Sequence, residues 1–179
     1  KVKEAVTELI NNRDGLIIGI CNGFQALIKL GLLPYGNIID LDENSTTLTF
    51  NNIHRHMSTI IRTKICSVKS PWLNNVKVGD IYGTPISHGE GRFFANSLDL
   101  ELMERNGQIF SQYVDEKGNA RADMPYNPNG SVWAIEGITS QDGRILGKMA
   151  HIERCEQGYK NIDSNMDLKI FYSGVQYFK

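Results

Sequence analysis

Five residues with the sequence Gly-Ile-Cys-Asn-Gly, at positions 19–23, constrain the fold of this chain more than any other stretch. They follow the apolar residues 16–18 and precede a helical pattern at 24–30, so a strand, a tight turn and a helix meet at Cys21. This arrangement is typical of a nucleophile elbow, where flanking glycines make room for a strained turn. A helix N-terminus there would favour the thiolate of Cys21. Alternatively, Cys21 is a small buried apolar residue.

Composition excludes several classes of protein. A formal net charge of -1 gives no electrostatic reason for binding nucleic acid or an acidic membrane surface. No apolar run approaches the roughly 20 residues of a membrane span. The three cysteines, Cys21, Cys66 and Cys155, are odd in number and far apart, which favours reduced thiols in a cytoplasmic protein over a disulfide framework.

The N-terminal part has the pattern of a doubly wound α/β fold. Apolar spacing predicts a helix over 1–12, a buried strand over 16–20 and a second helix over 24–30, ended by Gly31 and Pro34. Such folds usually place βα units before the strand of the nucleophile, and here a single helix precedes it. We therefore expect a chain cut at its N-terminus, or one part of a longer polypeptide.

The rest of the chain is richer in predicted strands. Alternating patterns at 45–50 and 57–66 predict antiparallel strands appended to a parallel core. Further strands are expected at 81–87 and 108–114, a hairpin at 132–139 and 144–149, and helices at 97–105 and 165–178. Between the first two strands, His54 and His56 have a spacing that could bind a metal, but they lack an acidic or cysteine partner. An exposed polar loop over residues 51–56 is the better interpretation.

A cysteine nucleophile needs a base, and the base needs a group that orients it. His151 and Glu153 lie two residues apart at a predicted strand end, so both side chains should point the same way. The carboxylate would then set the tautomer of the imidazole and leave its other nitrogen for Cys21. The alternative is an ordinary surface ion pair.

The run His-Gly-Glu-Gly-Arg-Phe at 88–93 has the composition of a loop that binds an amino acid. Its two glycines let the backbone approach a ligand closely. Glu90 could hold an ammonium group, and His88 or Arg92 a carboxylate. The alternative is a charged turn closed by its own ion pair.

Four motifs in this order resemble a class I glutamine amidotransferase domain. They are Gly-Ile-Cys-Asn-Gly-Phe-Gln at 19–25, the run at 88–93, Asn-Pro-Asn-Gly-Ser at 127–131 and His-x-Glu-Arg at 151–154. The most similar subfamily is that of phosphoribosylformylglycinamidine synthase, and the segments at 52–59 and 92–93 and the Tyr-Phe-Lys end look more like its large fused form. The resemblance implies an α/β, flavodoxin-like fold: a parallel sheet with helices on both faces and an antiparallel extension. It implies one glutaminase domain over 1–179, missing its N-terminal strands.

The resemblance also implies roles for individual residues. Cys21 would be the nucleophile, His151 and Glu153 would complete a triad, and the backbone N–H of Asn22 would be one oxyanion donor. Residues implied in glutamine binding are Gln25, His88, Gly89, Glu90, Gly91, Arg92 and Phe93. The family usually has proline where this chain has Ile152. This difference leaves both catalytic side chains in place. The glycine-rich loop that gives the second oxyanion donor is absent from the sequence before the elbow.

The implied reaction is hydrolysis of glutamine through a cysteinyl thioester. The ammonia would pass to a synthase domain that converts formylglycinamide ribonucleotide to the amidine in purine biosynthesis. ATP and magnesium would bind that domain, and this one would need no cofactor or metal. Alternatives are a silent truncated fragment or an interaction module, a stand-alone glutaminase subunit of the same pathway, or another cysteine hydrolase of this fold, which needs no zwitterion pocket. The expected partners are glutamine and the synthase domain.

Overall fold

The computed structural model describes residues 1–154 and 165–179. Its helices are α1 (Val2–Asn11), α2 (Asn22–Lys29), α3 (Leu32–Tyr35), α4 (Ser97–Arg105) and α5 (Asn165–Gln176). Its strands are β1 (Ile17–Ile20), β2 (Thr47–Thr49), β3 (Met57–Ile65), β4 (Ile81–His88), β5 (Arg92–Phe94), β6 (Ile109–Tyr113), β7 (Ile135–Thr139) and β8 (Ile145–Lys148). Short 3-10 turns lie at Pro71–Leu73, Val132–Ala134 and Ile152–Arg154.

Among these residues, one sheet has the strand order β1-β8-β7-β6-β3-β4. β1 and β8 are parallel, with Ile20 opposite Lys148, and the other neighbours are antiparallel. β2 and β5 form a separate antiparallel pair. Since β1 leads into Cys21 and β8 leads towards His151, the parallel pairing brings both residues to the same edge of the sheet.

Both faces of this sheet are covered. On one face, Phe24 and Ile28 of α2 pack with Ile145 of β8. On the other, Leu146 packs with Ile170 of α5 and with the turn Pro71–Leu73. Because consecutive residues of a strand point to opposite faces, Ile145 and Leu146 belong to two separate cores. A mixed sheet between helical layers confirms the predicted α/β fold class.

The predicted elements are largely present, with three corrections. The strand predicted at 45–50 is the short β2, which pairs with β5, a strand inside the run predicted to be a ligand loop. β3 lies within the main sheet instead of in an appended layer, because it pairs with both β4 and β6. The helix α3 was not predicted. Cys155, predicted to be a free thiol, and the side chain of Leu168, predicted on the apolar face of the last helix, lie outside the described residues.

In the part of the chain that the structure describes, no helix is both long and apolar enough to cross a lipid bilayer.

Candidate active site

Cys21 lies at the turn between β1 and α2, with a strained backbone. Its φ is 52° and its ψ is -104°, in a region that residues with a side chain seldom adopt. Neighbours hold it there: its N–H donates to the carbonyl oxygen of Lys148 at 2.8 Å, and its own carbonyl accepts from the N–H of Gln25 at 3.1 Å. The turn is therefore fixed on one side by β8 and on the other by the first turn of α2.

The two glycines around the elbow do different things. A Cβ atom on Gly19 would lie 2.7 Å from the backbone carbon of Gly23, so β1 and α2 pack too closely there for any side chain. A Cβ on Gly23 would meet no atom within 4 Å among its neighbours. The close packing that makes the elbow possible thus depends on Gly19.

Burial raises the pKa of the Cys21 thiol, while the backbone N–H of Asn22 and the charge of Arg154 lower it to a smaller extent. The N–H at the start of α2 thus favours the thiolate, but desolvation of the charged form outweighs this effect. The backbone N–H of Asn22 lies near the sulfur, and its role as an oxyanion donor remains a prediction. Cys21 consequently needs a base to become a nucleophile at neutral pH.

His151 and Glu153 are in direct contact. The Nδ1 atom of His151 lies 2.5 Å from Oε1 of Glu153, and the histidine side chain is 8% exposed against 41% for the glutamate. The pairing agrees with the prediction, but the two side chains are not brought together by alternation along a strand, as was expected. Glu153 belongs to the 3-10 turn Ile152–Arg154, which folds the carboxylate back onto the imidazole, so strand alternation is not the cause.

Strand β4 connects the cysteine and the histidine. The Sγ atom of Cys21 lies 3.8 Å from the carbonyl oxygen of Ser87, and the N–H of His151 donates to the carbonyl of Pro85 at 2.8 Å. Pro85 and Ser87 are two residues apart, so the predicted nucleophile and base meet the same end of one strand. Their catalytic roles remain predictions.

The run at 88–93 is organised by Asn51. Its side-chain amide donates to the carbonyl of His88 at 2.9 Å. Its Oδ1 accepts from the N–H of Gly91 at 3.1 Å and lies 3.2 Å from Nδ1 of His88. Its own N–H donates to the carbonyl of Gly89 at 2.9 Å. One buried side chain therefore fixes the whole turn.

His88 is 4% exposed, and its pKa is lowered from 6.5 to about 4. Burial is the main cause, and the charges of His56 and His151 add to it. A neutral imidazole cannot act as the cation for a substrate carboxylate, which leaves Arg92 for that role. His88 instead packs its ring against Gly91, where a Cβ atom would lie 2.4 Å from the ring.

Two other residues predicted to bind glutamine hold the loop in place. The side-chain amide of Gln25 donates to the carbonyl of Glu90, which ties the loop to α2. Phe93 is 1% exposed and stacks on Phe24, with ring centroids 6.5 Å apart. Arg92 donates to the side chain of Asn52 and is half-buried.

Some structural residues of the site were missed. Asn51 was predicted in an exposed loop yet is fully buried. Asn129 donates to the carbonyl of Gly91 at 2.7 Å, and Ser131 Oγ accepts from the N–H of Phe93 at 3.0 Å. The motif at 127–131 could have indicated that Asn129 and Ser131 belong to the site, whereas no local sequence pattern indicates this for Asn51. In the described residues, no three His, Cys, Asp or Glu side chains are grouped to hold a metal ion.

Comparison with known proteins agrees with this geometry. The family model of the CobB/CobQ-like glutamine amidotransferase domain matches residues 1–178. The phosphoribosylformylglycinamidine synthase subunit PurQ of Aquifex aeolicus is 34% identical over 157 residues, which are 88% of this chain and 63% of that protein. The protein of the same name from Moorella thermoacetica is 38% identical over 144 residues, 80% of this chain and 56% of that protein.

The chain thus spans less than two thirds of the length of these curated relatives. Among solved structures, a chain in the structure of PurLQS from Thermotoga maritima has a TM-score of 0.72 and 25% identity, and the match covers 100% of this chain and 69% of that one. Because the family model covers almost every residue, this chain belongs to the CobB/CobQ-like glutamine amidotransferase domain family.

Proposed function

We propose that this chain is the glutaminase component of a phosphoribosylformylglycinamidine synthase. The observation that carries the proposal is the meeting of a strained Cys21 and the His151–Glu153 pair at one end of β4. A thiol, a base and a carboxylate that orients the base form the constellation required for nucleophilic acyl transfer. The proposal makes glutamine the substrate and ammonia the product that is passed on.

In the first half of the reaction, His151 takes the proton of the Cys21 thiol, and the thiolate attacks the side-chain carboxamide of glutamine. The N–H of Asn22 stabilises the oxyanion that forms. The imidazolium then gives its proton to the departing nitrogen, so that ammonia leaves and a γ-glutamyl thioester remains. Glu153 stabilises the imidazolium through Nδ1 throughout this step.

In the second half, His151 takes a proton from water, and the resulting hydroxide attacks the thioester. The thiolate leaves, recovers a proton from the imidazolium and releases glutamate. Arg92 and Glu90 would hold the α-carboxylate and α-ammonium groups of glutamine. ATP, magnesium and the ribonucleotide would bind the synthase component, where ammonia converts formylglycinamide ribonucleotide to the amidine.

The two curated relatives named above are called synthase subunits, and the solved relative is part of PurLQS. These names support a stand-alone glutaminase subunit beside a separate synthase more than the large fused form predicted from the sequence. The same names support a synthase partner for this chain. Action in purine biosynthesis in the cytoplasm is part of the same proposal.

The test compares nitrogen sources with the chain bound to its synthase component. His151→Ala should abolish amidine formation from glutamine while added ammonium salt still supports it. Equal loss with both nitrogen sources would contradict a glutaminase role. A diazoketone analogue of glutamine should label Cys21, located by peptide mass spectrometry. Label on Cys66 instead would sink the assignment of the nucleophile, and absence of label with retained peptide hydrolysis would favour another cysteine hydrolase.

A further inference from the structure

A charged pair lies in the interior, directly beneath the elbow. Lys148, at the end of β8, and Glu136, on β7, are both 0% exposed, and Nζ lies 3.1 Å from Oε1. Taking two charges out of water is costly, and apolar residues in their place are often equally or more stabilising. A contribution to stability is therefore a poor explanation for the presence of this pair. The contacts that the two side chains make suggest a different role.

Both members of the pair contact the peptide groups of Ala150. The N–H of Ala150 donates to Oε1 of Glu136 at 2.7 Å, and Nζ of Lys148 donates to the carbonyl of Ala150 at 3.2 Å. Charged partners make such hydrogen bonds stronger than neutral ones. Ala150 immediately precedes His151, so the pair fixes the backbone from which the imidazole extends.

Lys148 also contacts the other side of the site through its backbone. Its carbonyl accepts the N–H of Cys21 at 2.8 Å, in the parallel pairing of β1 with β8. Lys148 therefore holds Cys21 through its main chain and, through its side chain, holds Ala150, the residue before His151. Among the described residues, Lys148 and Glu136 are the only Asp, Glu, Lys or Arg residues with 0% exposure.

We infer that Glu136 and Lys148 are positioning residues, which hold His151 in register with Cys21 by bonding both polar groups of Ala150. The inference rests on the proposed function, because it assigns His151 as the base for Cys21. Neither residue touches substrate. Their effect is on the geometry of proton transfer between the imidazole and the thiol, which tolerates little displacement.

A charge-inverted double variant, Glu136→Lys with Lys148→Glu, separates this role from simple ion pairing. The variant keeps two opposite charges in contact. It places an ammonium against the N–H of Ala150 and a carboxylate against its carbonyl, so both backbone bonds are lost. The milder pair Glu136→Gln with Lys148→Met keeps an acceptor for the N–H and loses only the bond to the carbonyl.

The measurement is the rate at which iodoacetamide alkylates Cys21 in the full chain at pH 7, resolved by peptide mass spectrometry with Cys66 as the internal reference. A displaced His151 leaves the thiol of Cys21 protonated. The alkylation rate of the inverted variant should therefore fall about tenfold, which corresponds to a rise of one unit in the thiol pKa. The milder variant should lose several-fold, and it serves as the test if the inverted variant does not fold.

Ile145→Ala is the matched control, because Ile145 is buried on the same strand but belongs to a different apolar cluster from Ala150. It should lower the melting temperature without changing the ratio of the Cys21 rate to the Cys66 rate. The inference is overturned if the charge variants leave that ratio unchanged, or if Ile145→Ala changes it equally. Alkylation needs no glutamine turnover, so a chain without glutaminase activity would refute the proposed function and still report on positioning.

Discussion

The Nδ1 atom of His151 lies 2.5 Å from Oε1 of Glu153, within a 3-10 turn that brings the two side chains together. A carboxylate at this distance fixes the tautomer of the imidazole and stabilises the positive charge that forms when the ring accepts a proton. Since Glu153 is 41% exposed, water weakens the pairing in the resting protein, and its main effect is expected during the reaction.

Glu153→Gln should therefore lower kcat for glutamine hydrolysis by about 100-fold and leave KM nearly unchanged. The amide occupies the same space but carries no charge to stabilise the imidazolium. Steady-state glutamate release with the synthase component bound measures both constants. Glu104→Gln, an exposed carboxylate on α4, is the control and should change neither. A loss confined to KM would mean that Glu153 binds substrate instead.

The loop after β4 allows a sharp contrast between two glycines. A Cβ on Gly91 would lie 2.4 Å from the buried ring of His88, whereas a Cβ on Gly89 would meet nothing within 4 Å. Gly91→Ala should cost about 1–3 kcal/mol in the free energy of unfolding, the usual effect of overpacking, and should raise KM for glutamine. Gly89→Ala should be close to neutral in both. Urea denaturation and glutaminase kinetics would reveal the difference, and equal effects would contradict the packing described here.

The sequence predicts this fold well where the signal is local. Helix α4 has its predicted bounds because Asn96 caps it with a side-chain acceptor and its apolar residues keep helical spacing. The elbow at Cys21 and the pairing of His151 with Glu153 also follow from short patterns. These features depend on residues a few positions apart.

What the sequence could not predict depends on contacts between distant segments. Phe93 lies in a glycine-rich run typical of ligand loops, yet it joins the core because β5 pairs with β2 and places it against Phe24. Asn51 is polar and lies beside polar residues, but three hydrogen bonds to backbone groups of the opposite loop hold it in a buried position. The burial of such residues depends on pairing between segments that are distant in the sequence, and the hydrophobic pattern alone does not predict that pairing.

The buried His88 makes stability depend on pH. Its pKa is lowered to about 4 in the folded protein against 6.5 in the unfolded chain, so between these values the unfolded state binds more protons. The stability contributed by neutral His88 is therefore fully present above about pH 6.5 and is lost as the pH falls towards 4. The loss is at most about 3–4 kcal/mol, since one pKa unit corresponds to about 1.4 kcal/mol.

His88→Gln should accordingly flatten the dependence of unfolding free energy on pH between about 4 and 6.5, whatever its effect on absolute stability. Urea denaturation at half-unit steps of pH measures the slope. His54→Asn is the control, because His54 is exposed and its φ of 51° is one that asparagine tolerates. An unchanged slope in His88→Gln would show that other groups cause the acid sensitivity.

The strained backbone at Cys21 leads to the last prediction. A φ of 52° with a side chain present costs about 1–3 kcal/mol, which glycine avoids. Glycine also gains freedom in the unfolded chain, which offsets about 0.5–1 kcal/mol of that gain. Cys21→Gly should therefore be more stable than Cys21→Ala by about 1 kcal/mol.

The alanine variant is the proper reference, because both changes remove the sulfur and its half-buried contacts while only one removes the strain. Both should lack glutaminase activity, and their midpoints in urea should differ in the stated direction with equal slopes. If Cys21→Ala proves more stable than Cys21→Gly by about 0.5–1 kcal/mol, the cost of glycine's freedom in the unfolded chain, the elbow stores no strain. The turn would then be held by the bonds to Lys148 and Gln25 at no conformational cost.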